Sequence, residues 1–231
     1  MGGEIYSEGI SLKNKRPNNM DRLVLCENTV ADMRLFLAAV CDGVGSTRDG
    51  AYAAEQALKM LQNWFYSLKD TESLGLHFLL GMKKINMGLS EQILCQQLEA
   101  ATTFSGILLA KDRYYLVHAG DSRIYGWKNG CIEQLTQDCI SERGALCSYL
   151  GRKKSAAFLY SEGRNCYQKY LLCTDGLYKR MDMAFLNEQL SHNSKRNIQK
   201  TLKQMANAVI VKGEKDNITA ALVINERGGE E

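Results

Sequence analysis

The chain has 231 residues, 45% of them apolar and 24% charged, with a net charge of +3. That balance is globular, long enough to bury a substantial core, and excludes a disordered chain. The small charge without any run of four Lys/Arg excludes a basic nucleic-acid surface or polybasic membrane patch, and no apolar run approaches the roughly 18 residues of a membrane span.

The opening stretch, MGGEIYSEGI, lacks the basic and apolar regions of a secretory signal, and Tyr6 stands where a myristoylation motif has Ser or Thr. A soluble, cytoplasmic protein is the expectation, with no nucleic-acid and no membrane partner. Short strands read at 22–27, 34–41, 103–110, 113–118 and 123–127, then at 131–135, 157–161, 167–173 and 218–224. Lys111-Asp112 and Lys128-Asn129-Gly130 read as hairpin turns.

Ala54, Ala57, Leu58, Leu61, Trp64, Phe65 and Leu68 form one helical stripe, and Ile198, Leu202, Met205, Ala206, Val209 and Ile210 another. A third helical region lies within 72–100, with Gly88 as its candidate break. Helices do not alternate with single strands, so a doubly wound parallel sheet is excluded and the class is α+β with antiparallel sheets. With one proline, Pro17, and no linker or repeat, the chain reads as a single domain over 1–231.

Eight cysteines, at 26, 41, 95, 131, 139, 147, 166 and 173, form no CxxC pair and read as reduced, mostly buried thiols. Those at 131, 139 and 147 recur every eight residues, a spacing with no evident chemical use.

The stretch LFLAAVCDGVGS at 35–46 carries a carboxylate straight out of an apolar run. An ionised Asp42 there is costly unless paired. A hairpin fails because helix-like sequence follows; a dinucleotide loop fails because Arg48 holds the third glycine's place. Cys41 and Arg48 are separated by six residues where a cysteine-phosphatase loop has five, and Val44 stands where a phosphoaspartate motif has a second Asp.

A metal ligand remains, and it requires partners. Asp175 follows the apolar run of YLLCTDGL in the same way, while Asp216 in EKDNITAALV and Asp21 in NNMDRLVL precede apolar strands. Singly, each reads as a turn or cap residue; together they read as one hard-cation site for Mg²⁺ or Mn²⁺ at a sheet edge, suited to phosphoryl chemistry.

Six segments in order now carry a resemblance: RPNNMD at 16–21, CDGVGS at 41–46, ATTFSGILL at 101–109, HAGDSRIY at 118–125, TDGL at 174–177 and KDNITAALV at 215–223. Over nearly its whole length the chain resembles the metal-dependent protein phosphatases of type 2C, in a bacterial form. The resemblance implies a central sandwich of two antiparallel β-sheets flanked by helices on both sides, with a dinuclear Mn²⁺/Mg²⁺ centre at one edge. It implies that Asp42 bridges two metals, that the Gly43 carbonyl adds a ligand to one, and that Asp175 and Asp216 bind the other. Asp21 would hold metal-bound waters, Arg16 would grip the substrate phosphate, and Asn217 would orient ligands from behind them. Asp121 with Asp175 matches the place of a third, weaker metal. The reaction implied is in-line attack of a bridging water on phosphoserine or phosphothreonine, with no phosphoenzyme.

Thr102, Thr103 and Ser105 match a structural strand motif, and His77, His118 and His192 read as packed or surface imidazoles. Four departures stand out: Met20 replaces a polar residue before Asp21, the flap at about 139–155 is short, Ser46 replaces a glycine and Cys139 a histidine. The implied partners are phosphorylated proteins, those of a cognate bacterial eukaryotic-like Ser/Thr kinase, acted on by a monomer. A phosphoprotein-binding regulator of the same fold and a small-molecule phosphatase are the alternatives.

Overall fold

The strand β3 (Met33–Cys41) is apolar on both faces because it is covered on both. Leu35, Leu37, Ala39 and Cys41 face helices, while Phe36, Ala38 and Val40 face a second sheet. The period of two along a strand makes that division. The computed structural model describes residues 4–151 and 156–226; residues 152–155 of the flap reading, and both chain ends of the 1–231 domain reading, lie outside them.

One sheet runs β2 (Arg22–Val30), β3, β4 (Phe104–Ala110), β5 (Arg113–Ala119) and β8 (Leu159–Arg164). The other runs β1 (Ile5–Leu12), β10 (Ile218–Asn225), β9 (Lys169–Cys173), β6 (Arg123–Lys128) and β7 (Cys131–Gln134). Every pairing is antiparallel. α1 (Gly50–Ser67) and α2 (Leu74–Cys95) cover the first sheet; α3 (Asp175–Tyr178), α4 (Met183–His192) and α5 (Ile198–Val211) cover the second. Between the sheets lies a third apolar layer holding Ile107, Leu116, Ile124, Tyr170, Leu172 and Val223. The α+β class and the helix-flanked sandwich of two antiparallel sheets are therefore both present. Among the described residues, no helix is long and apolar enough to cross a membrane.

Local chemistry accounts for the turns. Asn129 and Gly130 adopt φ of 51° and 85° between β6 and β7, the left-handed pair that Asn-Gly favours. Ala31 and Asp32 do the same between β2 and β3, without that signal.

Several expectations need correction. β1 is a strand that the expected set lacks, because IYSEGISL mixes Ser and Glu with its apolar residues and has Gly9 at its centre. Gly9 is there for close sheet-to-sheet approach: a Cβ on it would lie 2.8 Å from Leu23. α2 runs unbroken through Gly88, whose missing Cβ would meet nothing nearer than 3.6 Å, while Met82, Ile85, Leu89 and Ile93 hold the buried face continuous. The strands expected at 157–161 and 167–173 begin at Leu159 and Lys169. Only Cys26, Cys41 and Cys173 are buried, so the cysteines are not mostly buried, although all eight are unpaired thiols. The polar stretch SHNSKR at 191–196 reads as a loop, but His192 within it closes α4.

Phe78 on α2 is fully buried, stacked on Trp64 at 5.4 Å and edge-on to Phe104 at 6.4 Å. Phe78→Ala is expected to cost about 3–5 kcal/mol, read as a lowered midpoint in urea unfolding with an unchanged slope.

Candidate metal centre

The strand register brings the aspartates together. In the first sheet Cys41 pairs with Arg22, Val40 with Ser105, and Phe104 with Ala119. The end of β3, the start of β2 and the β5–β6 turn therefore share one edge, with Asp42, Asp21 and Asp121 just beyond it. In the second sheet Cys173 pairs with both Ala220 and Arg123, so Asp175 and Asp216 leave β9 and β10 at the same end. A cavity of about 120 Å³ lies there, lined by Arg16, Asp42, Gly43, Asp121, Asp175 and Asp216, with Met20 and Asn217 on its wall.

Asp42 is gripped through its backbone. Its N–H donates to Thr103 Oγ1 at 2.9 Å, and its carbonyl accepts from Thr103 N–H at 2.8 Å and Thr102 Oγ1 at 3.0 Å. The carboxylate is thus left to the cavity. Asp21 lies deeper, 2% exposed, accepting from Thr174 Oγ1 at 2.8 Å. Thr174 in turn accepts from Thr219 N–H at 3.1 Å, which ties β9 to β10 beneath the site.

Close backbone approach is built in at two glycines. A Cβ on Gly43 would lie 2.6 Å from the Gly50 carbonyl carbon at the start of α1. A Cβ on Gly176 would lie 1.9 Å from the Asn217 carbonyl oxygen. These contacts set Asp42 against α1 and Asp175 against Asp216.

Asn217 N–H donates to Asp216 Oδ1 at 2.8 Å, and its side chain reaches the other way. Its Oδ1 accepts from Met20 N–H at 2.8 Å, and its Nδ2 donates to the carbonyls of Lys13 and Asn18 at 2.8 and 2.9 Å. Asn14, at φ 51°, donates to the carbonyls of Glu214 and Asp216. Together these amides stitch the 13–20 loop, which carries Arg16, onto the start of β10. Sequence reading missed Asn14, Thr174 and Thr219; only their polar side chains beside the aspartate segments could have indicated them.

The electrostatics are those of crowded carboxylates. Burial, then the charges of Asp21, Asp175, Asp121 and Asp216, push Asp42 well above the usual carboxylate range. Burial pushes Asp21 up to about 7 and, aided by Asp175, Asp121 to about 6. Burial also opposes ionisation of Asp216, but Arg16 outweighs it and holds that carboxyl below its ordinary value. Arg16 reaches Asp216 through two bonds, Nε–Oδ1 at 2.8 Å and Nη2–Oδ2 at 2.6 Å. Lys179, four residues along, binds Asp175 Oδ2 at 2.5 Å.

Among the described residues, no three carboxylate, imidazole or thiol groups stand close enough to make a ready-made metal cage. The donor set nevertheless fits hard divalent cations: it is all carboxylate with a backbone carbonyl beside it, its buried acids resist ionisation without a counter-charge, and its two remaining acids are held by side-chain cations. Cys41, fully buried, has its thiol pushed up by burial and is unsuited to nucleophilic work.

His118 is 1% exposed and lies away from the cavity lining. Burial lowers its pKa; Nε2 lies 3.1 Å from the Gln137 carbonyl, and Nδ1 shares a hydrogen bond of 2.8 Å with Ser105 Oγ, whose hydroxyl also donates to the Ser122 carbonyl at 2.8 Å.

The sequence profile described as Protein phosphatase 2C matches residues 13–222. The chain is 27% identical over 220 residues to the serine/threonine phosphatase stp of Listeria innocua, covering 81% of this chain and 83% of that protein. The structure of serine/threonine phosphatase Stp1 from Staphylococcus aureus superposes with a TM-score of 0.85 at 21% identity, covering 98% and 97% of the two chains. The catalytic domain of serine threonine protein phosphatase PstP in complex with two manganese ions gives 0.80 at 22%, covering 95% and 97%. These structures share the fold.

The packing of Gly176 yields a stability contrast. Gly176→Ala is expected to lose at least about 2 kcal/mol, because backbone must shift, whereas Gly45→Ala, with open space around it, stays within about 1 kcal/mol of wild type. Thermal unfolding of the two metal-free variants checks this.

Proposed function

The chain belongs to the protein phosphatase 2C family, and from that premise we propose that it is a metal-dependent phosphatase of phosphoserine and phosphothreonine in proteins. The observation that carries this reading is the convergence of Asp42, Asp121, Asp175, Asp216 and Arg16 on one cavity. We infer a single phosphatase domain whose flap, about 139–155, is shortened.

Asp42, Asp175 and Asp216, with the Gly43 carbonyl, would hold two Mn²⁺ or Mg²⁺ ions, and Asp21 would support them from below. When bound, the two cations supply a water acidic enough at neutral pH to attack phosphorus in line, together with charge that offsets the phosphoryl oxygens. Arg16 is half-exposed and forked, suited to hold two phosphate oxygens once it lets go of Asp216. Asn217 and Asn14 act through the loop, fixing where that guanidinium starts. Asp121 would serve a third cation. With His118 enclosed, the leaving oxygen takes its proton from solvent in the site.

The partners that fit are phosphorylated proteins, including those of a cognate Ser/Thr kinase, reached by a cytoplasmic monomer. Retention of Asp42, Asp175 and Asp216 favours this over a non-catalytic regulator, and an open cavity beside a half-exposed arginine favours a protein phosphate over an enclosed metabolite.

Hydrolysis of a phosphothreonine peptide is expected to need Mn²⁺ or Mg²⁺ and to fall at least about a hundredfold in Asp42→Asn and in Asp175→Asn. Turnover that persists in chelator, or survives both substitutions, contradicts the reading. Arg16→Ala is expected to raise KM for the peptide more than it lowers kcat. Lys179 competes for Asp175, so Lys179→Met is expected to tighten Mn²⁺ binding several-fold in isothermal titration.

A further inference from the structure

The metal-centre chemistry uses neither Cys139 nor Cys147, two of the three cysteines spaced by eight residues. Cys139 is half-buried, Cys147 exposed, and both are unpaired thiols. The chain between them folds back on itself. Ile140 faces Leu146 in an antiparallel bridge, and Ser141 N–H donates to the Ala145 carbonyl at 2.8 Å. Gly144, at φ 78°, makes the turn. Cys147 N–H then donates to the Cys139 carbonyl at 2.8 Å, which makes the two cysteines cross-strand neighbours.

Opposed residues of an antiparallel pair have Cα atoms about 4.5–5.5 Å apart, inside the range of about 4.4–6.8 Å that disulfides span. Burial, with Cys147 beside it, raises the Cys139 pKa.

The hairpin borders the metal centre. Cys139 N–H donates to the Gly120 carbonyl at 2.7 Å, one residue from Asp121, and Leu146 lines the cavity beside Asp42 and Asp175. Cys131, on β7, is exposed and sits outside this hairpin.

We propose that Cys139 and Cys147 are a modification site, a dithiol that closes reversibly into an intramolecular disulfide and fastens the flap hairpin at the cavity wall. The oxidant class is a small disulfide such as oxidised glutathione. The Cys147 thiolate, the more exposed of the two, attacks one glutathione sulfur, forming a mixed disulfide and releasing one glutathione thiol. The Cys139 thiolate then attacks the Cys147 sulfur and expels the second. The protein loses two protons and two electrons, and the oxidant takes them up and leaves as two thiols. Closing the ring over 139–147 holds Leu146, one residue from the bond, in place. This inference does not depend on the phosphatase reading.

The test treats the full chain with oxidised glutathione, alkylates remaining thiols, and maps peptides by mass after cleavage before Asp138, which separates Cys131 from Cys139, and after Arg143. The expected product is a pair of peptides joined through Cys139 and Cys147, two hydrogens lighter than the reduced pair and separated by dithiothreitol. Cys139→Ser is expected to stop at a glutathione adduct on Cys147. Hydrogen exchange over 140–146 is expected to slow in the oxidised wild type and not in that variant. Glutathione adducts or alkylation at both cysteines of the wild type, a bond to another cysteine, or exchange unchanged by oxidation overturns the proposal.

Discussion

Mutual repulsion among five aspartates is the constraint on which this fold turns. Asp21, Asp42, Asp121, Asp175 and Asp216 arrive at one edge from separate parts of the chain. Burial makes each charge costlier, and proximity adds to that cost. Asp21 and Asp121 answer by holding their protons to about 7 and about 6. Asp175 and Asp216 answer with Lys179 and Arg16. A site in this condition favours small, hard, doubly charged ions and is stabilised when they bind.

The scaffold withstands that repulsion by anchoring backbone instead of side chains. Thr103 and Thr102 hold Asp42 through its peptide groups, and Gly176 packs on the Asn217 carbonyl. Two sheets, each covered by helices, put five strand ends at one rim without a long loop to position them. Arg16 is the exception. It rides on the 13–20 loop, which Asn14 and Asn217 fix to the start of β10, and its half-exposed guanidinium is paired with Asp216.

Much of this was readable in the residues, for identifiable reasons. Strands β3, β9 and β10 are buried on both faces, so their apolar runs stand out, and each run ends or begins at an aspartate. The helices α1 and α5 carry full apolar stripes. What escaped the reading depends on tertiary contact. β1 has too many polar residues to announce itself and is a strand because β10 pairs with it. Gly88 interrupts propensity but not burial, and burial decides. Asn217 bonds the Asp216 carboxylate through its backbone N–H, and the hold of its side-chain amide on the Arg16 loop depends on contacts made only in the fold. The pairing of Cys139 with Cys147 needed the flap hairpin to be seen.

Anomalous diffraction from crystals of the chain grown with Mn²⁺ tests the central claim most directly. The account predicts two manganese peaks between Asp42, Asp175 and Asp216, with Arg16 turned away from Asp216. Manganese bound elsewhere, or an intact Arg16–Asp216 pair over a site without anomalous density, would contradict it.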